Sequence, residues 1–510
     1  MTSSIRDRIG GLRAKGIQLW SEGGSVHYRA RKGTLTESDL DLLRKSKLEV
    51  LAVLEQDRMS LDPDWGTVRN RRLVEAPLSF SQLAYWQMCR SGEQPHIRNV
   101  ASATRLKGRL NIDALSGSLS ETLRRQDALR TRIVSLDDIP HQQVLESANV
   151  ELAMDNLNTI PEAALEEEIQ RRIGDLIFQP IDPSIDPLFA ARLLKVTEIE
   201  HVLILAMEHL IADARSLGIL LNDILISYAG RVAGRNCERA PPTVQFATYA
   251  AWQRRMQAPI LANRSARWDE HLAGCDRLRL PNLEGDTESG DRGWAVVSFY
   301  IDPQLLSGLL EWSRIRRTTP ALAVLTAYAG LLLRWCSVPE AVIRFQTDGR
   351  SRQELNDTIG YFASPLFLRV RLLERDTFDD LLRRMTAELC SAREADDLSL
   401  REAGERRASF TRNGCFNWRP RPPELEMPDR PGLLSHQDVP IQFDLLESLN
   451  RDTEPEVGFI EAEDQIHVHV QYPRHRFSMR TMERFGRNLL FFLREQLSCS
   501  CQRVGEISLI

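Results

Sequence analysis

The chain has 510 residues, long for one compact core and enough for two to four packed units. Its 42% hydrophobic and 27% charged residues are ordinary for a globular protein in water. No run of about 18 apolar residues could span a bilayer, and a net charge of −5 gives no reason to expect nucleic acid or an anionic membrane as a partner.

The N-terminus, MTSSIRDRIGGLRAKG, carries charges where a signal peptide needs an apolar stretch, so a cytoplasmic protein is expected. Residues 1–57 read as a small α-β-β-α unit. Ile5, Ile9 and Leu12 stand at helical spacing. In GIQLWSEGGSVHYRA, the apolar Ile17, Leu19, Val26 and Tyr28 flank a turn at Glu22-Gly23-Gly24, the pattern of a β-hairpin. Thr36 is placed to cap a second helix, with Asp39 in its first turn and Leu40, Leu43, Leu51 and Leu54 on its apolar face. So small a unit has little core and no room for a cleft; it suits an adaptor better than an enzyme. Residues 58–75 follow as a polar linker.

Strands and amphipathic helices alternate through the rest, an α/β pattern in two halves, 76–276 and 294–510, joined by the aperiodic RLRLPNLEGDTESGDRG at 277–293. IEHVLILAMEHL (199–210) has the continuous apolar run of a buried strand ending at Met207. Leu217, Leu220, Leu221, Ile224, Leu225 and Tyr228 then repeat at helical spacing, with Ser216 expected as the N-cap. The loop between holds His209 and Asp213. An imidazole at a strand end can take a proton from a hydroxyl or amine near neutral pH, and a carboxylate four residues on can fix its loop. By itself H-x-x-x-D is common, and a loop histidine beside a helix-capping aspartate accounts for it equally well. In the second half, Leu322, Leu325, Thr326 and Ala329 mark a buried helix and EAVIRFQT (340–347) a strand. Cys499 and Cys501 are the only close pair among eight cysteines; without a second pair or a nearby histidine they make a poor zinc site, and no metal is expected.

Several segments taken together are more specific than any one of them. LSFSQLAYWQ (78–87), RQDALRTRI (125–133), EHLIADA (208–214), VQFATYAAWQ (244–253), DGRSRQELNDTIGYFASPLFLR (348–369), CFNWRP (415–420) and YPRHRFSMRTMERF (472–485) resemble, in order and spacing, the motifs of nonribosomal peptide synthetase condensation domains. The resemblance implies two chloramphenicol-acetyltransferase-like lobes in a V-shaped pseudo-dimer, with a tunnel at their junction. It makes His209 the catalytic residue, as base or positioner of the acceptor. Asp213 would hold the loop, with Arg350 as its expected partner, and Asn417 would lie on the segment closing the tunnel. Arg125, Asp127 and Arg130 would form a structural ion-pair cluster. Two positions depart from the family pattern H-H-x-x-x-D-G: Glu208 replaces the first histidine and Ala214 the glycine. Ala214 is tolerable where its backbone has negative φ.

The resemblance implies no bound cofactor: the acyl chain arrives on the phosphopantetheine of a carrier protein. The first 57 residues are similar to β-hairpin docking domains, which accept the C-terminal linear motif of an upstream acyl or peptidyl carrier protein along the hairpin edge. Arg29, Arg31, Lys32, Arg44, Lys45 and Lys47 would meet acidic residues of that tail. No adenylation, carrier or thioesterase segment follows the second half, so the expected enzyme is a monomer that releases the chain to a small-molecule alcohol or amine. Ester formation with a free hydroxy acid, as in releasing enzymes of the enacyloxin type, is favoured. The alternatives are amide formation between two carriers and a silent domain that recruits a partner; retention of His209 and Asp213 argues against silence.

Overall fold

A computed structural model describes residues 12, 18–22, 25–29, 36, 39–41, 43, 46–47, 50 and 65–509, the last range with breaks at 91–98, 137–138, 149, 180, 186, 236–238, 256–269, 276, 283–292, 395–409, 411–412, 420–434, 440–453, 463 and 500. The chain divides into two compact units, Met1–Arg71 and Arg72–Ile510. The first contains the expected hairpin. Strands β1 (Gln18–Glu22) and β2 (Ser25–Arg29) are antiparallel, with Leu19 opposite Tyr28 and Ser21 opposite Val26. Gly23 and Gly24, expected in the turn, lie outside the described residues. Thr36 and Asp39 cap the following helical segment reciprocally: the Asp39 amide donates to Thr36 Oγ1 at 3.2 Å, and the Thr36 amide donates to Asp39 Oδ2 at 3.0 Å.

In the second unit, β3 (Glu75–Pro77), β5 (Thr131–Leu136) and β6 (Ile139–Val144) form a small sheet. The strands β4 (Asn99–Lys107), β7 (Leu152–Asn156), β8 (Phe189–Lys195) and β9 (Glu200–Glu208) belong to a larger one. The C-terminal sheet has the order β10-β16-β15-β13-β11-β12, from β10 (Trp294–Ile301), β11 (Glu340–Thr347), β12 (Ser364–Arg371), β13 (Cys415–Arg419), β15 (Glu456–Glu461) and β16 (Ile466–Pro473). One strand does not respect the division into halves read from the sequence. Strand β14 (Ser435–Asp438), from the second half, pairs antiparallel with β4 and completes the order β14-β4-β9-β8-β7. The next residue, Val439, is buried in the N-terminal core with Val202 and Ile204.

The helices start where side-chain caps are available. Asn111 caps α2 (Ile112–Arg125), Asp302 and Thr319 cap α5 (Pro303–Arg316) and α6 (Pro320–Trp335), and Ser478 caps α8 (Met479–Ser498). Proline at the first position of α5 and α6 costs no hydrogen bond there. Helix α6 is buried almost all round and fills the C-terminal core with Phe485 and Phe492 of α8. Further helices are α1 (Phe80–Arg90), α3 (Glu162–Ile177), α4 (Ala214–Val232) and α7 (Phe378–Glu394). Among the described residues, no helix is long and apolar enough to cross a membrane.

The expected ion-pair cluster divides. Arg130 pairs with Asp127 at 2.6 Å, but Arg125 pairs with Asp223 of α4, which Arg239 also reaches. The four-residue 3-10 turn Asp127–Arg130 points Arg130 back to Asp127, while Arg125 ends α2 facing α4. A buried carboxylate between two arginines leaves them uncompensated when it is removed. We therefore expect Asp223→Ala to lower unfolding free energy by about 3–5 kcal/mol, measured by denaturant titration. A loss below about 1 kcal/mol would show that solvent screens the triad.

Candidate active site

Strand β9 is buried along its length except at Glu200, and it carries the chain to the site. Glu208 ends the strand opposite Asn99 of β4, and its amide donates to the Leu188 carbonyl at 2.9 Å. The strand thus runs one residue past Met207. The Glu208 carboxylate is buried and accepts from the Leu210 amide, turning the chain out of the sheet. Gln82 of α1 secures that turn, its Nε2 donating to the Leu210 carbonyl at 2.7 Å.

His209 is half-buried at the start of the turn, and its Nδ1 lies 2.8 Å from the Ala212 carbonyl. A carbonyl only accepts, so Nδ1 carries the proton and the neutral ring presents Nε2 as a base. Two tyrosines pack around the ring: Tyr361 with centroids 4.6 Å apart and Tyr85 at 5.3 Å. Burial pushes the His209 pKa below its ordinary value, against the opposing pull of the neighbouring carbonyls and Asp213. Burial also raises both tyrosine hydroxyls, with the Glu208 charge adding to the effect at each.

Asp213, not Ser216, is the N-cap of α4. Its Oδ1 accepts from the Ser216 amide at 2.9 Å, and the helix begins at Ala214. The expectation failed because Asp and Ser at that spacing suit either end of the same cap. Ser216 instead ties the cap to the second half of the chain. Its hydroxyl lies 2.8 Å from Asp213 Oδ1, 3.0 Å from the Gly360 carbonyl and 3.1 Å from both the Gly360 amide and Arg350 Nη2. Ala214 is exposed, is helical and has no positive φ, so the backbone there does not need glycine.

Arg350 meets Asp213 as the sequence suggested, with contacts of 2.9 Å to Oδ2 and 3.2 Å to Oδ1. The amides of Phe362 and Ala363 also donate to Oδ2, at 3.1 and 3.2 Å. Burial would raise the carboxyl, but the Arg350 guanidinium and the Ser216 donors outweigh it and hold Asp213 below the usual carboxylate range. The charge is therefore kept, and with it the tie between the 209–216 loop and the segment joining β11 to β12. Gln126 and Thr358 add to the tie: the Ile359 amide donates to Gln126 Oε1 at 3.1 Å, and Thr358 Oγ1 donates to the Val244 carbonyl at 2.7 Å. Gly360 is required by close approach, since a Cβ there would lie 2.0 Å from the Phe246 ring.

Asn417 sits on β13, opposite Gln346 on one side and Gly458 on the other, half-buried and away from the His209 loop's hydrogen bonds. Of the residues expected to dock a partner, Tyr28 is 46% exposed, Val26 half-buried and Lys47, on the following helical segment, exposed. Ile17, Arg31, Lys32, Arg44 and Lys45 lie outside the described residues, as do the side chains of Leu19 and Arg29. Tyr85 and Tyr361 were missed as site residues. Both lie inside quoted motifs, but an aromatic residue in a helix or loop carries no sign that it faces a histidine.

Residues 73–510 match the condensation-domain family model, and residues 5–56 match that of the TubC N-terminal docking domain. Similar curated proteins include isonitrile lipopeptide synthase of Mycobacterium tuberculosis, 29% identical over 66% of this chain, and the dimodular nonribosomal peptide synthase of Bacillus subtilis, 29% identical over 65%. The matched region spans 14% of each of those two proteins. Among solved structures, the X-domain from teicoplanin biosynthesis is 24% identical with a TM-score of 0.69, covering 86% of this chain and 99% of that one. The first condensation domain of the calcium-dependent antibiotic synthetase is 16% identical with a TM-score of 0.71, over 86% and 100%. These likenesses establish the fold expected from the motifs.

Removing the Asp213 charge strands a buried guanidinium. We expect Asp213→Ala to cost about 3–5 kcal/mol at neutral pH. Because the folded pKa is depressed, this stabilisation is present above the unfolded carboxyl pKa and is lost as pH falls through the folded one. Melting curves of wild type and variant should therefore converge in acid; a constant gap across pH would refute a charge-based role.

Proposed function

The chain belongs to the condensation-domain family, whose members form amide or ester bonds by acyl transfer, and on that premise we propose that it transfers an acyl chain from a carrier-bound thioester to a hydroxyl acceptor. The observation that carries this reading is the His209 tautomer. With Nδ1–H engaged by Ala212, Nε2 can accept the proton of an acceptor hydroxyl as its oxygen attacks the thioester carbonyl. Collapse of the tetrahedral intermediate expels the pantetheine thiolate, which takes a proton to leave as the thiol, and the acyl chain leaves as an ester. A hydroxyl is a weak nucleophile until a base assists it, whereas a neutral amine attacks unaided; a neutral, desolvated imidazole therefore favours ester formation. The acceptor in this reading is a free hydroxy acid, so the reaction releases the chain. Asp213 and Arg350 act by holding the loop. The phosphopantetheine arm belongs to the carrier.

The docking-domain match at 5–56 supports an upstream carrier protein as donor, captured through its C-terminal linear motif on the hairpin. The described cysteines carry no disulfide, in keeping with a cytoplasmic setting.

His209→Ala should lower turnover about 10²–10⁴-fold without changing the melting curve, read by mass spectrometry of the acyl carrier. In wild type the rate should fall only below about pH 6.5, because the neutral imidazole is the active form and its pKa is depressed; an acid limb above neutrality would contradict the assignment. Deleting residues 1–57 should leave transfer from a minimal acyl thioester intact but raise the carrier concentration needed for half-maximal rate. If the carrier dependence is unmoved, the unit does not dock the carrier.

A further inference from the structure

The C-x-C pair Cys499 and Cys501 has no part in the His209 site. Its spacing suits zinc poorly, but the fold gives it a definite geometry. The two sulfurs lie 3.0 Å apart, and both residues are exposed. They are the only exposed cysteines among the described residues: Cys275 and Cys415 are buried, and Cys89, Cys336 and Cys390 are half-buried. Burial also pushes the thiols of Cys275, Cys336 and Cys415 up to about 12, away from thiolate chemistry near neutral pH. Cys237 lies outside the described residues.

The pair is fastened on both sides. Cys499 closes α8, its amide donating to the Glu495 carbonyl at 2.9 Å. The Gln502 amide then donates to the Cys499 carbonyl at 3.0 Å, which makes a four-residue turn containing both thiols. Beyond the turn, Arg503 bridges to Thr377, and the Val504 amide donates to the Asp376 carbonyl at 2.9 Å. Val504 and Ile507 are buried in the C-terminal core, and Arg334 of α6 donates to the Ile507 carbonyl at 3.1 Å. A helix on one side and a docked segment on the other thus hold the sulfurs together, and a disulfide needs only about 1 Å of further approach. The C-terminal end of a helix disfavours a thiolate, and the hydrogen bond shared with Cys499 raises the Cys501 thiol further. What this turn supplies is proximity and not acidity: a first attack on an outside disulfide is ordinary, and the second is intramolecular.

We propose that Cys499 and Cys501 form a reversible dithiol site, oxidised by low-molecular-weight disulfides. The Cys499 thiolate attacks one sulfur of oxidised glutathione and expels the other as a glutathione thiolate, leaving a mixed disulfide. Cys501 then attacks the Cys499 sulfur and the second glutathione leaves. The protons of the two protein thiols end on the two glutathione thiols, so one disulfide is reduced as the other forms. Excess thiol drives the same steps backwards, since an exposed disulfide stays open to attack.

The test exposes reduced full-length protein to oxidised glutathione, alkylates the remaining thiols, and reads intact and peptide masses beside melting curves. Wild type should lose two hydrogens, carry no glutathione on Cys499 or Cys501, and recover both thiols on adding dithiothreitol. Its melting temperature should fall by no more than about 2 °C, because the native turn already brings the sulfurs together. Cys499→Ser and Cys501→Ser should each stop at a mixed disulfide on the remaining sulfur, at least about 100-fold longer-lived than the wild-type intermediate. Wild type that keeps glutathione on either sulfur overturns the proposal, as does a disulfide from either cysteine to Cys237. A larger fall in melting temperature also overturns it, since the sulfurs would then join only by breaking the native turn.

Discussion

Everything at this site hangs on one buried carboxylate. Asp213 accepts from its own helix at Ser216, from the guanidinium of Arg350 and from the amides of Phe362 and Ala363. Those donors come from opposite sides of the domain, the loop after β9 and the loop after β11. A buried charge with fewer partners would be a liability; with these it fixes two loops in one geometry. His209 is placed indirectly, through the turn whose end Asp213 anchors, and Tyr361 through the segment whose amides Asp213 accepts. The His209 ring and its aromatic wall are thus positioned by the same oxygen atoms.

Glu208 sits next to this arrangement and adds a second buried carboxylate. It spends one oxygen on the Leu210 amide and shapes the turn. Its charge adds to the burial that disfavours ionisation of both tyrosines.

The parts legible in the sequence were those whose signal is local. The buried run 199–210, the H-x-x-x-D loop, the hairpin around two glycines and the reciprocal cap at Thr36 and Asp39 each follow from residues within a few positions of one another. The Arg350 partnership was legible only through family resemblance, since 137 residues separate it from Asp213. Ser216 was misassigned by three positions because both candidates for the cap lie in the same turn. The exchange of Arg125's partner from Asp127 to Asp223 depends on how α2 packs on α4, which no spacing encodes. Tyr85 and Tyr361 matter by facing a common ring from a helix and a distant loop.

Strand β14 has a bearing on biosynthesis. The outer position of the N-terminal sheet, beside β4, is filled by residues 435–438. A ribosome making this chain will have released β4, β8 and β9 more than 200 residues before their last neighbour exists. During that interval the outer edge of β4 from Ala103 to Lys107 lacks its partner, the state that invites pairing with another nascent chain. The two halves are consequently poor separable pieces: expressed alone, the first would carry a raw edge and the second a strand with nothing to join.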